Sequence, residues 1–286
     1  MLCLFGYIIV VCSVLGGFML AGGKPLVLLH VSEFVVIIGV SLGLMVVAST
    51  KEVLRSMLKD IKLCLKDNVV SRQMIIELMQ LLYELLMLVR KNGLIALDEH
   101  VANPGKSAIF TKYSNILSQS ELIEFIVNSF RPIIDGRVKP DHIGDLLERE
   151  LSNRENCADK STGVLNLVGD SLPGIGIIAA VLGIINTMNS IADGPEKVGI
   201  KVAAALTGTF LGIFGAYGLV NPLAHRIQSN HESQLMLLKI IATAIAESQK
   251  GVLPIMALEY ARRQVDPALQ PNAMELEEIL KNSIKK

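Results

Sequence analysis

Two carboxylates, Glu33 and Asp170, lie near the long apolar stretches of this sequence. Each lies close to the end of such a stretch, and no stretch has a carboxylate at its centre. Ionisable groups within a bilayer are costly and often mark ion paths, so these two residues are candidates for chemistry. A proton path through the apolar stretches would need a further carboxylate from another helix.

No pattern of an enzyme active site is present. The sequence lacks a phosphate-binding loop, a GxSxG motif and an HExxH motif, and its five histidines are scattered. The pair Gly174 and Gly176 lies within an apolar stretch, not at a strand–helix turn, which argues against a nucleotide loop. The four cysteines form no CxxC pair and have no histidine at ligand spacing. We therefore expect a chain that is not an enzyme and binds no metal and no cofactor.

Small and hydroxyl-bearing residues are frequent in the third and fourth apolar stretches. Gly208 and Gly212 form a GxxxG pair, and Gly176 and Ala180 have the same spacing. Such faces allow close contact between membrane helices. The contact could join these two helices within one chain, or the helices could surround a foreign helix that brings a carboxylate. The spacing is compatible with both.

Prolines flank the same pair of helices. Asp170 and Ser171 are of the types that cap helices, so we expect the third membrane helix to begin near Leu172, with Pro173 in its first turn. Pro222 predicts a kink at the end of the fourth membrane helix. A functional alternative is that both prolines bend as protonation changes.

The elements that must position these residues are four apolar helices. Residues 2–21 and 34–49 predict the first two membrane spans, and 172–191 and 202–220 the third and fourth, with 192–199 as a short link. No Lys or Arg precedes the first stretch, which disfavours a cleaved signal peptide. The predicted fold class is an all-α integral membrane protein with four transmembrane helices and a large helical cytoplasmic domain.

Basic residues predict the orientation. Of the 27 Lys and Arg, 16 lie in 51–160 and 8 in 223–286, so the positive-inside rule places both segments and both termini in the cytoplasm. A net charge of zero, no Trp and no evident basic stripe indicate that nucleic acid is not a partner.

The predicted organisation has four parts. Residues 1–50 form the first helical hairpin, 51–163 a cytoplasmic helical domain, 164–225 the third and fourth membrane helices, and 226–286 a cytoplasmic helical tail. Residues 73–91 are apolar but carry a stripe of polar residues, which predicts an amphipathic cytoplasmic helix and not a span. The stripe consists of Gln73, Glu77, Gln80, Glu84 and Lys91. A long helix is expected from Pro222 to about residue 248.

Several segments resemble the MotA family of flagellar stator proteins. They are Gly6-Tyr7 with Gly16-Gly17, RKNGLIALD at 90–98, VGDSLPGIGIIAA at 168–180, GTFLGI at 208–213 and AYGLVNP at 216–222. The resemblance covers essentially the whole chain in order and spacing.

The resemblance implies a ring, expected to be a homopentamer, around a dimer of MotB-like partners that each supply a proton-accepting Asp. Proton flow would turn the ring in the lipid bilayer of a bacterial inner membrane, the expected localisation, and push on the rotor protein FliG. It also implies that Arg90 and Asp98 contact the rotor, with Asp98 standing where Glu is expected, and it gives weaker support to Glu150.

The same resemblance implies roles in the ion path. Pro173 and Pro222 correspond to prolines that couple protonation to movement, and Ala180, Thr209 and Tyr217 to positions on the pore side. Sodium-driven relatives tend to have a hydroxyl where this chain has Ala180, and a methyl group offers no oxygen to a hard cation. We therefore expect protons to be the coupling ion.

Three alternatives remain. A TolQ/ExbB-like energiser of another membrane process would have three spans, and the hairpin at 2–49 argues against it. A secondary transporter would show internal repeats and a buried charged site, which the sequence lacks. The last alternative is a structural membrane scaffold.

Overall fold

The computed structural model describes residues 2–65, 70–188 and 194–283, which contain helices and no strand. The α-helices are α1 (Leu2–Leu20), α2 (Val31–Val47), α3 (Lys51–Leu65), α4 (Arg72–Asn92), α5 (Leu94–Ala102), α6 (Ser114–Leu117), α7 (Ser120–Ile134), α8 (Ile143–Met188), α9 (Pro195–Phe214), α10 (Asn221–Gln249), α11 (Pro254–Arg262) and α12 (Ala273–Ser283). A π-helical turn, Gly215–Val220, joins α9 to α10. The predicted end of the third span at Ile191, and the first part of the 192–199 link, lie outside the described residues.

The chain divides into two compact units. Unit 1 comprises Met1–Asn68 and Cys157–Asn230, and unit 2 comprises Val69–Asn156 and His231–Lys286. Helix α3, which the sequence analysis assigned to the domain 51–163, belongs to unit 1. Helices α8 and α10 each contribute residues to both units.

Unit 1 contains the apolar helices. Helix α1 and the helical segments Pro140–Met188 and Pro195–Gln249 are long and apolar enough to cross a bilayer, whereas α2, with 17 residues, is shorter. No residue of α1 is buried, and large apolar side chains cover its surface. Lipid or another protein chain must therefore cover this helix.

Helix α8 corrects one prediction from the sequence. It runs without interruption from Ile143 to Met188, so Asp170 and Ser171 are helical residues and not caps, and Pro173 lies in the helix interior. The strong helical pattern before residue 170 overrides the local capping signal. Proline has no N–H to donate to the carbonyl four residues earlier, and membrane helices tolerate such a site where neighbouring groups compensate.

The π-helical turn explains how a continuous helix accommodates Pro222. In this turn the Asn221 N–H bonds to the carbonyl of Ala216, five residues earlier. The hydrogen bond of this turn spans five residues where an α-helix has four. The change comes just before Pro222, whose nitrogen has no hydrogen to donate. Helix α10 then continues to Gln249, which confirms the predicted end near residue 248.

Unit 2 has the larger core, built around α4. Ile75, Leu78 and Leu82 of α4 are fully buried, together with Phe110 and Phe125. The sequence predicted an apolar face on this helix, and that prediction is confirmed.

The polar stripe of α4, by contrast, is not simply a solvated face. Glu84 is 9% exposed and accepts hydrogen bonds from Lys112 Nζ at 2.7 Å and Tyr113 Oη at 2.8 Å. Asn115 donates to Glu77 at 2.8 Å. Burial raises the pKa of Tyr113, and the Glu84 carboxylate raises it further. The stripe therefore anchors the segment that follows α5.

Candidate functional site

Helices α8 and α9 approach each other through glycines. A Cβ atom on Gly212 would lie 2.6 Å from the Leu172 carbonyl oxygen and 2.7 Å from Gly176 Cα. A Cβ on Gly176 would lie 2.9 Å from the carbonyl oxygen of Gly208. Backbone therefore meets backbone, and no larger residue fits at these positions. These glycines are used for contact within the chain, which is the first of the two possibilities that their spacing allowed.

Glu33 lies at one side of this contact. It is 6% exposed, and the Ser32 hydroxyl donates to its Oε2 at 2.7 Å. Its Cγ lies 3.4 Å from the Cβ position of Gly208, which is also 3.3 Å from the backbone nitrogen of Ala180. The structure thus places a carboxylate beside a predicted pore-side residue. The sequence placed Glu33 only at the edge of a span, because the packing of α2 on α9 is a tertiary contact.

The other predicted ion-path residues are less closely grouped. Ala180 is buried, Thr209 and Pro173 are half-buried, and Asp170 is exposed. Tyr217 is 67% exposed. Tyr217 and Pro222 line a groove of about 290 Å³ between α1 and the helix that contains the π-helical turn. The structure therefore brings Glu33 to Ala180, while Tyr217 and Pro222 form a second group.

Tyr7 is a residue whose contact the sequence analysis did not foresee. Its hydroxyl donates to the carbonyl oxygen of Leu219, within the π-helical turn, at 2.9 Å. Helix α1 can approach because position 218 is glycine, where a Cβ would lie 3.3 Å from Val10 Cγ1. The signal in the sequence was a single tyrosine hydroxyl in an apolar helix whose other aromatic residues are Phe5 and Phe18.

The predicted rotor-contact residues lie in unit 2. Arg90, in the last turn of α4, and Asp98, on α5, are both exposed, and Gly93 with φ of +82° joins their helices. Among the described residues, neither side chain takes part in an ion pair. Both charges are therefore available to another molecule.

Glu150 differs from this pair because it already has a partner in the chain. Arg154 Nη2 bonds to Glu150 at 2.9 Å, and Arg154 Nη1 bonds to Glu121 at 3.1 Å. The guanidinium also lies 5.4 Å from the centroid of the Phe125 ring. This arrangement fastens α8 to α7, so Glu150 has a structural role within unit 2.

Two family descriptions match the chain. Residues 4–93 match the N-terminal region of motility protein A, and residues 117–240 match the MotA/TolQ/ExbB proton channel family. Motility protein A of Escherichia coli strain K12 is 34% identical over 97% of this chain and 94% of its own length. The chemotaxis protein LafT of Vibrio parahaemolyticus is 30% identical and covers 96% of each chain.

Solved structures share the fold. The C. jejuni MotAB structure contains a chain with a TM-score of 0.77 and 22% identity, covering 93% of this chain and 95% of that one. The flagellar MotAB stator complex from Bacillus subtilis gives a TM-score of 0.72 at 22% identity, covering 90% and 92%. The helical arrangement is therefore one that flagellar stator complexes also have.

Proposed function

The chain belongs to the motility protein A group of the MotA/TolQ/ExbB proton channel family, and from this premise we propose how it works as a flagellar stator subunit. Its role is to take part in proton conduction that drives the flagellar motor. The match of residues 4–93 to the N-terminal region of motility protein A does not favour the TolQ/ExbB alternative.

The observation that carries the mechanism is the buried contact of α8 and α9 with Glu33 beside it. Residues 172–188 and 202–214 contain no titratable side chain. A proton that enters near Glu33 therefore needs another acid to cross the membrane. We propose that a MotB-like partner supplies this acid as an Asp on a single membrane helix, since both solved neighbours are MotAB complexes.

The assembly we propose is a homopentamer around a dimer of the partner. Helix α1, in which no residue is buried, is compatible with an assembly in which further surfaces are covered. Four membrane helices, two large cytoplasmic segments and both termini in the cytoplasm complete the proposed topology, with α2 as the shortest span. The chain would use the transmembrane proton gradient, with no cofactor and no enzymatic step.

Torque would reach the rotor protein FliG through Arg90 and Asp98. The support for this is that both charges are exposed and are in no ion pair within the described residues. Single exposed ion pairs contribute about 0–1 kcal/mol, so each charge reversal alone should have a modest effect and the double reversal a larger one. Glu150 would act indirectly, by holding Arg154 in place.

Co-expression of the chain with its MotB-like partner in a strain without its own stator tests the proposal. We expect a co-purified oligomer, restored swimming, and loss of swimming with a protonophore. The Arg90→Glu/Asp98→Lys variant should assemble normally but swim slowly. A stable monomer that does not capture the partner would contradict the assembly, and unaltered swimming of the double variant would contradict the rotor contact.

A further inference from the structure

Helix α3 has a basic face that composition alone did not reveal. Lys51, Arg55, Lys59 and Lys62 are all exposed. Their spacing of four, four and three residues places the four side chains on one side of the helix. The whole chain has no excess of positive charge, so this face is a local feature. The sequence analysis expected no basic stripe, and for α3 that expectation is wrong.

The opposite side of α3 fixes the direction of the basic face. Met57 and Cys64 are buried in a cluster with residues of α8 and α10, namely Val164, Leu165, Ala224 and Ile227. Asp60 accepts a hydrogen bond from the Ser161 hydroxyl at 2.9 Å. These contacts fix the orientation of α3 about its own axis, so that the four cations point away from the body of unit 1.

A shallow groove lies within the basic face. It has a volume of about 330 Å³ and is lined by Arg55, Leu58, Lys59, Lys62 and Leu63. Leu58 is 56% exposed. Within the described part of the chain, no ion pair neutralises any of the four cations. A ligand that fits has a negative group for the cations and an apolar part for the leucines.

The position of α3 along the chain identifies the surface that this face meets. Only residues 48–50 separate the end of α2 from Lys51, the first residue of α3. If α2 spans the membrane, as the proposed function holds, α3 must start at the bilayer surface. Anionic lipids of the cytoplasmic leaflet attract basic segments next to a membrane helix, by about 1 kcal/mol for each Lys or Arg.

We propose that the basic face of α3 is a binding site for acidic phospholipids, with the lipid phosphate on Arg55, Lys59 and Lys62 and the start of an acyl chain on Leu58. The site rests on the membrane placement in the proposed function and on no other part of it. An acidic segment of a protein is the competing ligand, and it would protect the lysines equally in a neutral and in an acidic bilayer.

The test compares lysine reactivity in two bilayers. The full chain with its MotB-like partner is placed in nanodiscs of phosphatidylcholine, or of an equal mixture of phosphatidylcholine and phosphatidylglycerol. Acylation of each lysine amine is followed by mass spectrometry. We expect Lys59 and Lys62 to react about fivefold more slowly in the mixture. The attraction of one basic residue to an anionic bilayer corresponds to about that factor in an equilibrium constant.

Controls come from the same molecule. Lys24, exposed at the other end of α2, would experience the same general surface potential, and Lys106 and Lys139 are exposed in unit 2. Equal slowing at Lys24, or no slowing at Lys59 and Lys62, would overturn the proposal. Inorganic phosphate added to phosphatidylcholine nanodiscs should give no protection.

A variant completes the experiment. Arg55→Gln should reduce the protection of Lys59 and Lys62 in the mixed bilayer, whereas Lys106→Gln, a matched loss of one charge, should not. If Arg55→Gln leaves the protection unchanged, the three cations do not share a ligand and the site is refuted. The measurement requires neither motility nor conductance, so its failure and the failure of the stator role are separate results.

Discussion

Glu33 is a carboxylate that is almost fully buried beside the backbone contact of two apolar helices. Burial of a polar group costs free energy unless the group is hydrogen-bonded, and the Ser32 hydroxyl supplies one such bond. Glu84 is buried to a similar extent, but it has two partners from another segment, Lys112 and Tyr113, whereas the hydrogen bond of Glu33 comes from the residue next to it. In the proposed function, this position beside Ala180 would let Glu33 pass a proton between bulk water and the acid of the partner helix.

A conservative variant tests this role of Glu33. Glu33→Gln keeps the shape of the side chain but cannot release a proton, so proton flux and swimming speed should fall about tenfold or more. The amount of chain that co-purifies with its partner should stay the same. Glu148→Gln removes an exposed acid of α8 as the control. Normal flux in Glu33→Gln would remove this residue from the proton path.

Tyr7 is predicted to hold the π-helical turn ahead of Pro222. Tyr7→Phe removes the hydroxyl that donates to the Leu219 carbonyl, a hydrogen bond of about 1 kcal/mol. Amide exchange of residues 215–221, measured by mass spectrometry, should become about fivefold faster. A loss of about 1 kcal/mol changes an opening equilibrium by about that factor. Tyr260→Phe, at an exposed tyrosine of α11, should leave this exchange unaltered. No change with Tyr7→Phe would mean that the turn is stable without α1.

What could be predicted at single residues depended on how local the signal was. The small residues of α8 and α9 indicated a close contact, because the spacing itself is the signal. The spacing could not indicate which helix makes the contact, since contact within a chain and contact between chains require the same spacing. The burial of Glu33 and Glu84 depends on residues far away in the sequence. The local sequence around an acid near an apolar run does not show whether the acid is exposed or buried.

At the scale of elements, the contact of α8 with α9 is predicted to tolerate no methyl group. Gly212→Ala would place Cβ 2.6 Å from the Leu172 carbonyl oxygen, and overpacking of this kind costs about 1–3 kcal/mol. We expect a lower melting temperature for the purified complex. Gly199→Ala, in the same helix with no atom within 4 Å of its Cβ position, is the matched control and should be neutral or stabilising.

Should Gly212→Ala melt like the parent protein, the two backbones would not be in contact in solution. The interpretation of the GxxxG pair as an intramolecular contact would then be wrong, and the foreign-helix alternative would return.

Helix α11 allows a prediction about pH. The hydrogen bond from Arg262 lowers the pKa of Glu259 below its ordinary 4.5, and Arg263 lowers it further. A depressed folded pKa means that the stabilisation is complete above the unfolded pKa and is lost as pH falls through the folded value. Glu259→Gln should therefore lower the melting temperature at neutral pH, and the difference should vanish in acid.

The pH experiment has its own control. Glu278→Gln removes an exposed acid of α12 and should shift the melting temperature little at any pH. A Glu259→Gln effect that is equally large in acid would assign the loss to packing and not to charge.

The ends of elements were predictable where a single signal acted. The continuation of α10 to Gln249 agreed with the sequence. The start of the third span did not, because a helix N-terminus was inferred from capping residues while the preceding sequence already favoured a helix. Capping types stabilise a terminus only where the chain before them is not helical.

For the molecule as a whole, the class was readable because charge and apolar residues are segregated along the chain. Segregation over stretches of about 20 residues is what a bilayer requires, so it survives any detail of packing. The number of copies in an assembly leaves no such trace. Helix α1, without a buried residue, shows that lipid or protein must cover its surface but not how many chains do so.

The ion that drives the whole assembly is predicted from one methyl group. Ala180 is buried next to Gly208 and its methyl side chain has no oxygen to offer, while Thr209, the residue after Gly208, carries a hydroxyl. A dehydrated sodium ion needs several oxygen ligands, and without them its desolvation costs several kcal/mol, whereas a proton can move along water and carboxylates.

Swimming driven by this chain should persist without sodium and stop with a protonophore. Ala180→Ser alone should not confer use of sodium, because one hydroxyl cannot replace a hydration shell, and Thr209→Val should slow swimming by disturbing local water. Swimming that rises with external sodium at fixed pH would refute proton coupling and leave the stator role intact.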